Sequence, residues 1–219
     1  MSSGKQSKNQ SRKTRKQSSR FWLQRQDKDP YVQQARQAGY RARSAFKLKE
    51  LDEKLKLVKP GDVVVDLGAA PGAWCQVAAE KGAARIIALD LLAIAPLENV
   101  EVLQMDFMED DAPETLKTLL NGNADCVLSD MAPNTTGHKD TDHLRIMALV
   151  EAAYDFACAV LKPGGHFVAK VFEGGTEKTL LDLMKADFKT VRHVKPPSSR
   201  KESAEIYVAA TGFRQGETQ

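Results

Sequence analysis

The run Phe167-Val168-Ala169-Lys170-Val171-Phe172 places one ammonium group in an otherwise apolar stretch. A strand of that composition belongs inside a sheet, where an unpaired charge is costly. Lys170 therefore needs a carboxylate partner or a lowered pKa, and either would set it apart from a solvated lysine. A second chemical signal is Val63-Val64-Val65-Asp66-Leu67-Gly68-Ala69-Ala70-Pro71-Gly72-Ala73-Trp74. Here a buried strand ends in a turn whose glycines, Gly68 and Gly72, let backbone approach a ligand, and a helix follows. The turn matches neither the dinucleotide fingerprint nor the P-loop, and no lysine follows to hold phosphates.

Acids surround that loop. Asp90 ends the next apolar run, 18 residues after Gly72, at a distance where a carboxylate takes ribose hydroxyls. Asp106 follows the third run and Asp130 ends the fourth. Aspartates commonly cap helices and close turns. Three in register behind a glycine loop point instead to a ligand with adenosine, an ammonium and a sulfonium, since they would repel a pyrophosphate. S-adenosylmethionine has that chemistry, and Trp74 at the start of the following helix is placed to touch it by backbone or ring.

The elements that must position these groups are readable from periodicity. Asp29-Pro30 starts a helix that stops at Gly39, and Ser44 caps a second. Leu48, Leu51, Leu55 and Val58 form its apolar stripe, and Lys47 is the charged residue nearest the stripe's centre. After Lys59-Pro60-Gly61 the spacing predicts strands near 63–66, 85–90, 100–103, 125–130, 166–172, 188–194 and 205–211. Helices are expected near 73–81, 113–120, 140–161 and 176–186, with Gly82 and Pro163-Gly164-Gly165 as stops. Strands alternating with helices imply an α/β doubly wound parallel sheet. The last two strands lack an intervening helix, so one of them should run antiparallel. Glu205 opens the final strand, with Glu202 close by as a competing acid.

Charge is unevenly divided over the 219 residues. Residues 1–50 hold 14 Lys and Arg against 3 Asp and Glu, leaving 18 against 26 in the remainder. A basic front end on an acidic body suits contact with a polyanion. Residues 1–20 carry no acid and many Ser and Gln, and read as a disordered basic arm. A single domain then spans 21–213, and 214–219 form a short tail. No apolar stretch is long enough for a membrane span, and the N-terminus lacks a secretory core, which favours a cytoplasmic protein. Three cysteines (Cys75, Cys126, Cys158), none in C-x-x-C spacing, argue against a disulfide framework or structural zinc. The cluster Gly137-His138-Lys139-Asp140-Thr141-Asp142-His143 tempts a metal reading, but its histidines are five apart and its acids suit a helix cap, so no metal is expected.

The segments Asp66–Trp74, Arg41-Ala-Arg-Ser-Ala-Phe-Lys47-Leu, Ser129-Asp-Met-Ala-Pro-Asn134, Phe167–Phe172, Ser198-Ser-Arg200 and Glu205-Ile-Tyr207 together resemble the FtsJ-like RNA 2′-O-ribose methyltransferases. The resemblance covers roughly residues 20–213. Ala73 departs from it, standing where the family commonly has a second glycine. The family implies a Rossmann-like seven-stranded sheet, mostly parallel with one antiparallel strand near the C-terminus. It also implies S-adenosylmethionine as cofactor, held at Gly68, Gly72, Trp74, Asp90, Asp106 and Asp130, and a catalytic tetrad of Lys47, Asp130, Lys170 and Glu205. The implied substrate is a uridine in 23S rRNA within the large ribosomal subunit, methylated by a monomer.

Residues 130–134 carry no aromatic to stack on a base, which favours ribose oxygen over base nitrogen as acceptor. Lys47 and a sulfonium would favour neutral Lys170, while Asp130 and Glu205 would favour its ammonium; the balance stays open at this level. Arg41, Arg43, Lys47, Arg192, Lys195, Arg200 and Lys201 could form a basic path for RNA. Three other readings compete. A transfer RNA ribose methyltransferase would share the tetrad. A non-catalytic RNA-binding assembly factor would bind no cofactor. A nicotinamide-dependent dehydrogenase would need the pyrophosphate fingerprint that is missing.

Overall fold

The computed structural model describes residues 29–133, 136–174 and 176–214. The basic arm at 1–20, Asn134 and the tail after Arg214 lie outside the described residues.

Among the described residues two short helices come first, α1 (Pro30–Gln37) and α2 (Ala45–Leu55). Asp29 caps α1, its side chain accepting from the Tyr31 N–H at 3.1 Å ahead of the proline at the first turn. Ser44 occupies the N-cap position of α2 but makes no capping bond with its side chain, because its backbone is already helical. Its carbonyl instead accepts from Trp74 Nε1 at 2.8 Å, tying α2 to the helix after the glycine loop.

There follow β1 (Val63–Leu67), α3 (Ala73–Glu80), β2 (Arg85–Asp90), β3 (Val100–Gln104), α4 (Ala112–Leu120) and β4 (Ala124–Ser129). The chain continues through α5 (Lys139–Val160), β5 (Leu161–Phe172), α6 (Lys178–Asp187), β6 (Phe188–Val194) and β7 (Glu205–Phe213). The strands form one sheet in the order β3-β2-β1-β4-β5-β7-β6. β7 is antiparallel to both its neighbours, and the other pairings are parallel. This is the expected architecture, with the direct β6–β7 connection accounting for the one reversed strand.

One boundary differs from expectation. Pro163-Gly164-Gly165 is expected to stop the long helix, but α5 ends at Val160 and β5 begins at Leu161, which is already extended and pairs with Ala124 of β4. The ladder then shifts register before Cys126 meets His166, so the turn-forming residues are absorbed as an irregularity inside the strand.

Alternation along each strand divides the core in two. Val65, Leu67, Ile87, Phe167 and Ala169 pack under α4, α5 and α6, with Leu116, Ile146, Val150 and Met184. Val64, Ile86, Leu128, Val168 and Tyr207 face the other way, against Ala35, Leu48, Leu51 and Val77 of α1, α2 and α3. Lys170, two residues beyond Val168, emerges on this second face, the same face that α2 covers with Lys47. Strand order reverses between β1 and β4, and their C-terminal tips form the crevice where α/β sheets take ligands.

Candidate active site

A cavity of about 750 Å³ opens at that crevice, within the range typical of small-molecule sites. Gly68 and Ala70 line it from the glycine loop, Asp90, Leu91 and Leu92 from the end of β2, and Asp106 and Met108 from beyond β3. Asp130, Met131 and Lys170 close it on the far side.

Gly68 is required by geometry. Its φ is +75°, and a Cβ there would lie 2.7–2.8 Å from the backbone N and Cα of Met131. The loop after β4 can therefore lie directly on the loop after β1. The Asp130 N–H seals the contact by donating to the Leu67 carbonyl at 3.0 Å.

Asp90 and Asp106 both brace turns and both line the cavity. Asp90 accepts from the Ala70 N–H and the Leu92 N–H, each at 2.8 Å, and so braces the two loops that border the cavity. Asp106 accepts from the Met108 N–H at 2.9 Å and closes its own turn. A carboxylate has about four acceptor positions, so these bonds leave lone pairs for a ligand.

Gly72 and Trp74 sit apart from the lining residues. Gly72 precedes α3 with φ +101°, and a Cβ on it would meet Leu97, Ile94 and Arg41. The indole of Trp74 is buried, its ring 5.7 Å from that of Tyr207. Ala73 is buried at the first position of α3, where its methyl is accommodated.

Beside the cavity stand two lysine–acid pairs. Lys170 is 6% exposed, and its Nζ lies 2.9 Å from Asp130 Oδ1 and 2.7 Å from the Asp130 carbonyl. A buried ammonium has thus found the partner its environment demands. Lys47, 9% exposed, donates to Glu205 Oε2 at 2.9 Å. Burial pushes the Glu205 carboxyl up, but the charges of Lys170 and Lys47 outweigh it and hold the group below its ordinary range. Glu202 is exposed.

The residue linking the pairs is Tyr207, which sequence reasoning quoted only as part of a motif. It faces Lys170 across the β5–β7 ladder, as Glu205 faces Phe172. Its hydroxyl donates to Asp130 Oδ1 at 2.7 Å, and Lys47 Nζ lies 5.8 Å from its ring centre. Burial and the Asp130 carboxylate push its phenol well above the ordinary value, keeping it a donor. Below the glycine loop, Asp66 is 1% exposed, and the Cys75 thiol donates to its Oδ2 at 3.2 Å. Its Oδ1 has no hydrogen-bond partner among the described residues. Burial pushes its carboxyl up to about 7.

Several of the basic residues have intramolecular duties. Arg43 and Arg200 share the Asp29 carboxylate, and Arg43 also donates to the Ser198 carbonyl. Lys195 pairs with Glu173 at 2.7 Å. Arg192 and Lys201 are exposed. Asp142 holds the loop before α5, accepting from Thr136 N and Oγ1 at 2.7 Å and from Gly137 N at 3.2 Å. Among the described residues no three His, Cys, Asp or Glu side chains are grouped to hold a metal, and no helix is long and apolar enough to cross a membrane.

An acid-lined cavity at the switch point of a seven-stranded sheet with one reversed strand defines a Rossmann-like methyltransferase. The model of the FtsJ-like methyltransferase family matches residues 40–213, and the chain belongs to that family. It is 60% identical over 209 residues to the ribosomal RNA large subunit methyltransferase E of Paramagnetospirillum magneticum, covering 92% of this chain and 86% of that one. The protein of the same name from Bradyrhizobium diazoefficiens is 56% identical over 207 residues, with 92% and 91% covered. Among solved structures, a ribosomal RNA methyltransferase from Plasmodium falciparum matches with a TM-score of 0.70 at 30% identity, covering 80% of this chain and 98% of that one.

Proposed function

We propose that the chain methylates the 2′-hydroxyl of a uridine ribose in 23S rRNA of the large ribosomal subunit, using S-adenosylmethionine. The names of its relatives support the substrate. The observation that carries the chemistry is the Lys170–Asp130 contact, because both residues also line the cavity that Asp90 and Asp106 enter. The donor set fits the cofactor: three carboxylates suit a cation with ribose hydroxyls, and Gly68 lets the loop carrying Asp130 and Met131 pack directly on the loop after β1. Gly72 and Trp74 act on the cofactor through the loop they shape: the Gly72 N–H donates to the Ala69 carbonyl at 2.6 Å, and Trp74 Nε1 donates to the Ser44 carbonyl at 2.8 Å.

When bound, S-adenosylmethionine supplies a methyl group on a positively charged sulfur. The protein's task is to align the acceptor oxygen and manage its proton. Alignment in a closed site is worth effective molarities of about 10⁵ M or more, and proton handling about 10²–10⁴-fold. An ammonium has three donors, and Lys170 directs two of its bonds to Asp130. We assign its remaining position to the 2′-oxygen: as the ammonium Lys170 donates there and steers the hydroxyl, whereas removal of the hydroxyl proton requires the neutral amine, whose lone pair would take it and leave the ammonium held by Asp130. Lys47 and Glu205 orient the acceptor nucleotide, and Asp130 serves both cofactor and lysine. The enzyme works as a cytoplasmic monomer, and exposed Arg192 and Lys201 help to hold RNA by its phosphates.

The test is incubation of the protein and labelled S-adenosylmethionine with unmethylated large subunits or with transfer RNA, followed by mapping of ribose methylation. Label at one uridine of 23S rRNA is expected. Label confined to transfer RNA would overturn the substrate, and failure to bind the cofactor would overturn the enzyme.

A further inference from the structure

Arg41 lies outside the lysine–acid pairs and outside the cavity lining, and its sequence context suggested contact with RNA. Its guanidinium is occupied by three main-chain carbonyls. Nη1 donates to Pro71 at 3.0 Å and Ala95 at 2.7 Å, and Nη2 donates to Pro96 at 2.8 Å. These acceptors belong to two segments that meet only in the folded chain. Pro71 is in the glycine loop with Gly68 and Ala70. Ala95 and Pro96 are in the turn that continues from Asp90, Leu91 and Leu92.

The base of the arginine is anchored as well. Its N–H donates to Gln76 Oε1 at 2.8 Å, and Gln76 Nε2 donates to the Gly39 carbonyl at 3.0 Å, which stitches residues 39–41 to α3. Gly72 explains how the guanidinium fits, since a Cβ there would lie 3.0 Å from Nη1 and 2.8 Å from Leu97. The Ala70–Asp90 bond joins the same two segments at the cavity, and Arg41 joins them further along.

We infer that Arg41 is a positioning residue for the cofactor, setting the spacing between the glycine loop and the turn after β2; this rests on the reading that the cavity takes S-adenosylmethionine. Arginine suits the role because its rigid planar fork serves several acceptors at once, whereas a lysine offers one compact, strongly hydrated charge.

The experiment compares the full chain with its Arg41→Ala and Arg41→Lys variants. It measures S-adenosylhomocysteine affinity without RNA by calorimetry, then kcat and both KM values on unmethylated large subunits. In Arg41→Ala the affinity should fall about 10-fold or more and the cofactor KM rise in step. The kcat at saturating cofactor and the subunit KM should stay within about twofold. Arg41→Lys should fall between, and it keeps the question open to measurement should the alanine variant fail to fold. Unchanged S-adenosylhomocysteine affinity, with a raised subunit KM and a salt slope reduced by about 1, would overturn the inference and assign Arg41 to a phosphate. A parent chain that itself binds no S-adenosylhomocysteine would instead remove the cofactor reading on which the inference stands.

Discussion

Asp130 holds Lys170 at two points, through Oδ1 at 2.9 Å and through its own carbonyl at 2.7 Å. One acceptor is a charge that can rotate, and the other is main chain fixed at the tip of β4. The lysine is therefore tied to the strand that borders the cavity as well as to a side chain. That arrangement holds Nζ at the cavity edge.

Replacing Lys170 with Ala should remove transfer while sparing the cofactor. Single-turnover methylation of large subunits should fall by about 10³-fold or more, because both orientation and proton handling are lost. S-adenosylhomocysteine affinity should stay within about threefold, since Asp90 and Asp106 are untouched. Parental rates in a variant that still binds the cofactor would remove Lys170 from the reaction.

Tyr207→Phe isolates one hydroxyl. The ring keeps its place beside Trp74 and Lys47, while Asp130 Oδ1 loses the donor at 2.7 Å and keeps Lys170. A net loss of about 1.5–3 kcal/mol in urea-unfolding stability is expected for a hydrogen bond to a charged acceptor. Transfer should slow by about 10-fold as Asp130 gains freedom to rotate. An unchanged rate would show that the Lys170 contacts alone fix the carboxylate.

The order of elements and the positions of Lys47 and Lys170 were open to sequence reasoning because each carries a local signature: a charge inside an apolar stripe, a charge inside an apolar run. Asp90 and Asp106 were legible as strand-end acids behind a glycine loop. Tyr207 was not, because its role depends on cross-strand register with Lys170, which no local pattern encodes. Arg41 reads as one more basic residue until the fold brings Pro71 and Pro96 together. The orientation of the Trp74 indole was hidden for a related reason. Its place in the motif marks the start of α3, but the ring turns toward Ser44 and Tyr207.

Asp66 should make stability depend on pH. Its carboxyl is pushed up to about 7 by burial, with Asp130 and Asp90 adding to the Cys75-opposed shift. The folded chain therefore keeps a proton that the unfolded chain releases from about pH 4 upward. This contribution is fully present below about pH 4 and is lost as pH rises through 7. Asp66→Asn cannot ionise, so its stability relative to the parent should improve across that window, by as much as about 4 kcal/mol. Urea midpoints taken at intervals from acid to neutral pH measure the difference. Parallel curves for the two proteins would mean that Asp66 ionises as an ordinary carboxylate.

Glu205 and Glu202 offer a direct comparison between two acids three residues apart. Glu205 accepts from Lys47 at 2.9 Å, and Lys170 and Lys47 together hold its carboxyl low against the upward push of burial. It stays ionised throughout the neutral range. Its stabilising contribution is present above the unfolded pKa and is lost as pH falls through the lowered folded value. Glu205→Gln leaves Lys47 without its anion, so transfer should fall by about 10²-fold, the scale of a misplaced orienting group. The variant should also show a weaker loss of stability on acidification than the parent. Glu202 is exposed, and Glu202→Gln should keep the parental rate within about twofold and the parental acid limb. Assays of both variants on unmethylated large subunits, with unfolding followed from neutral to acid pH, separate the two carboxylates. A rate loss confined to Glu202→Gln would move the fourth position of the site to the loop before β7, and the Lys47–Glu205 pair would then be a brace for the fold alone.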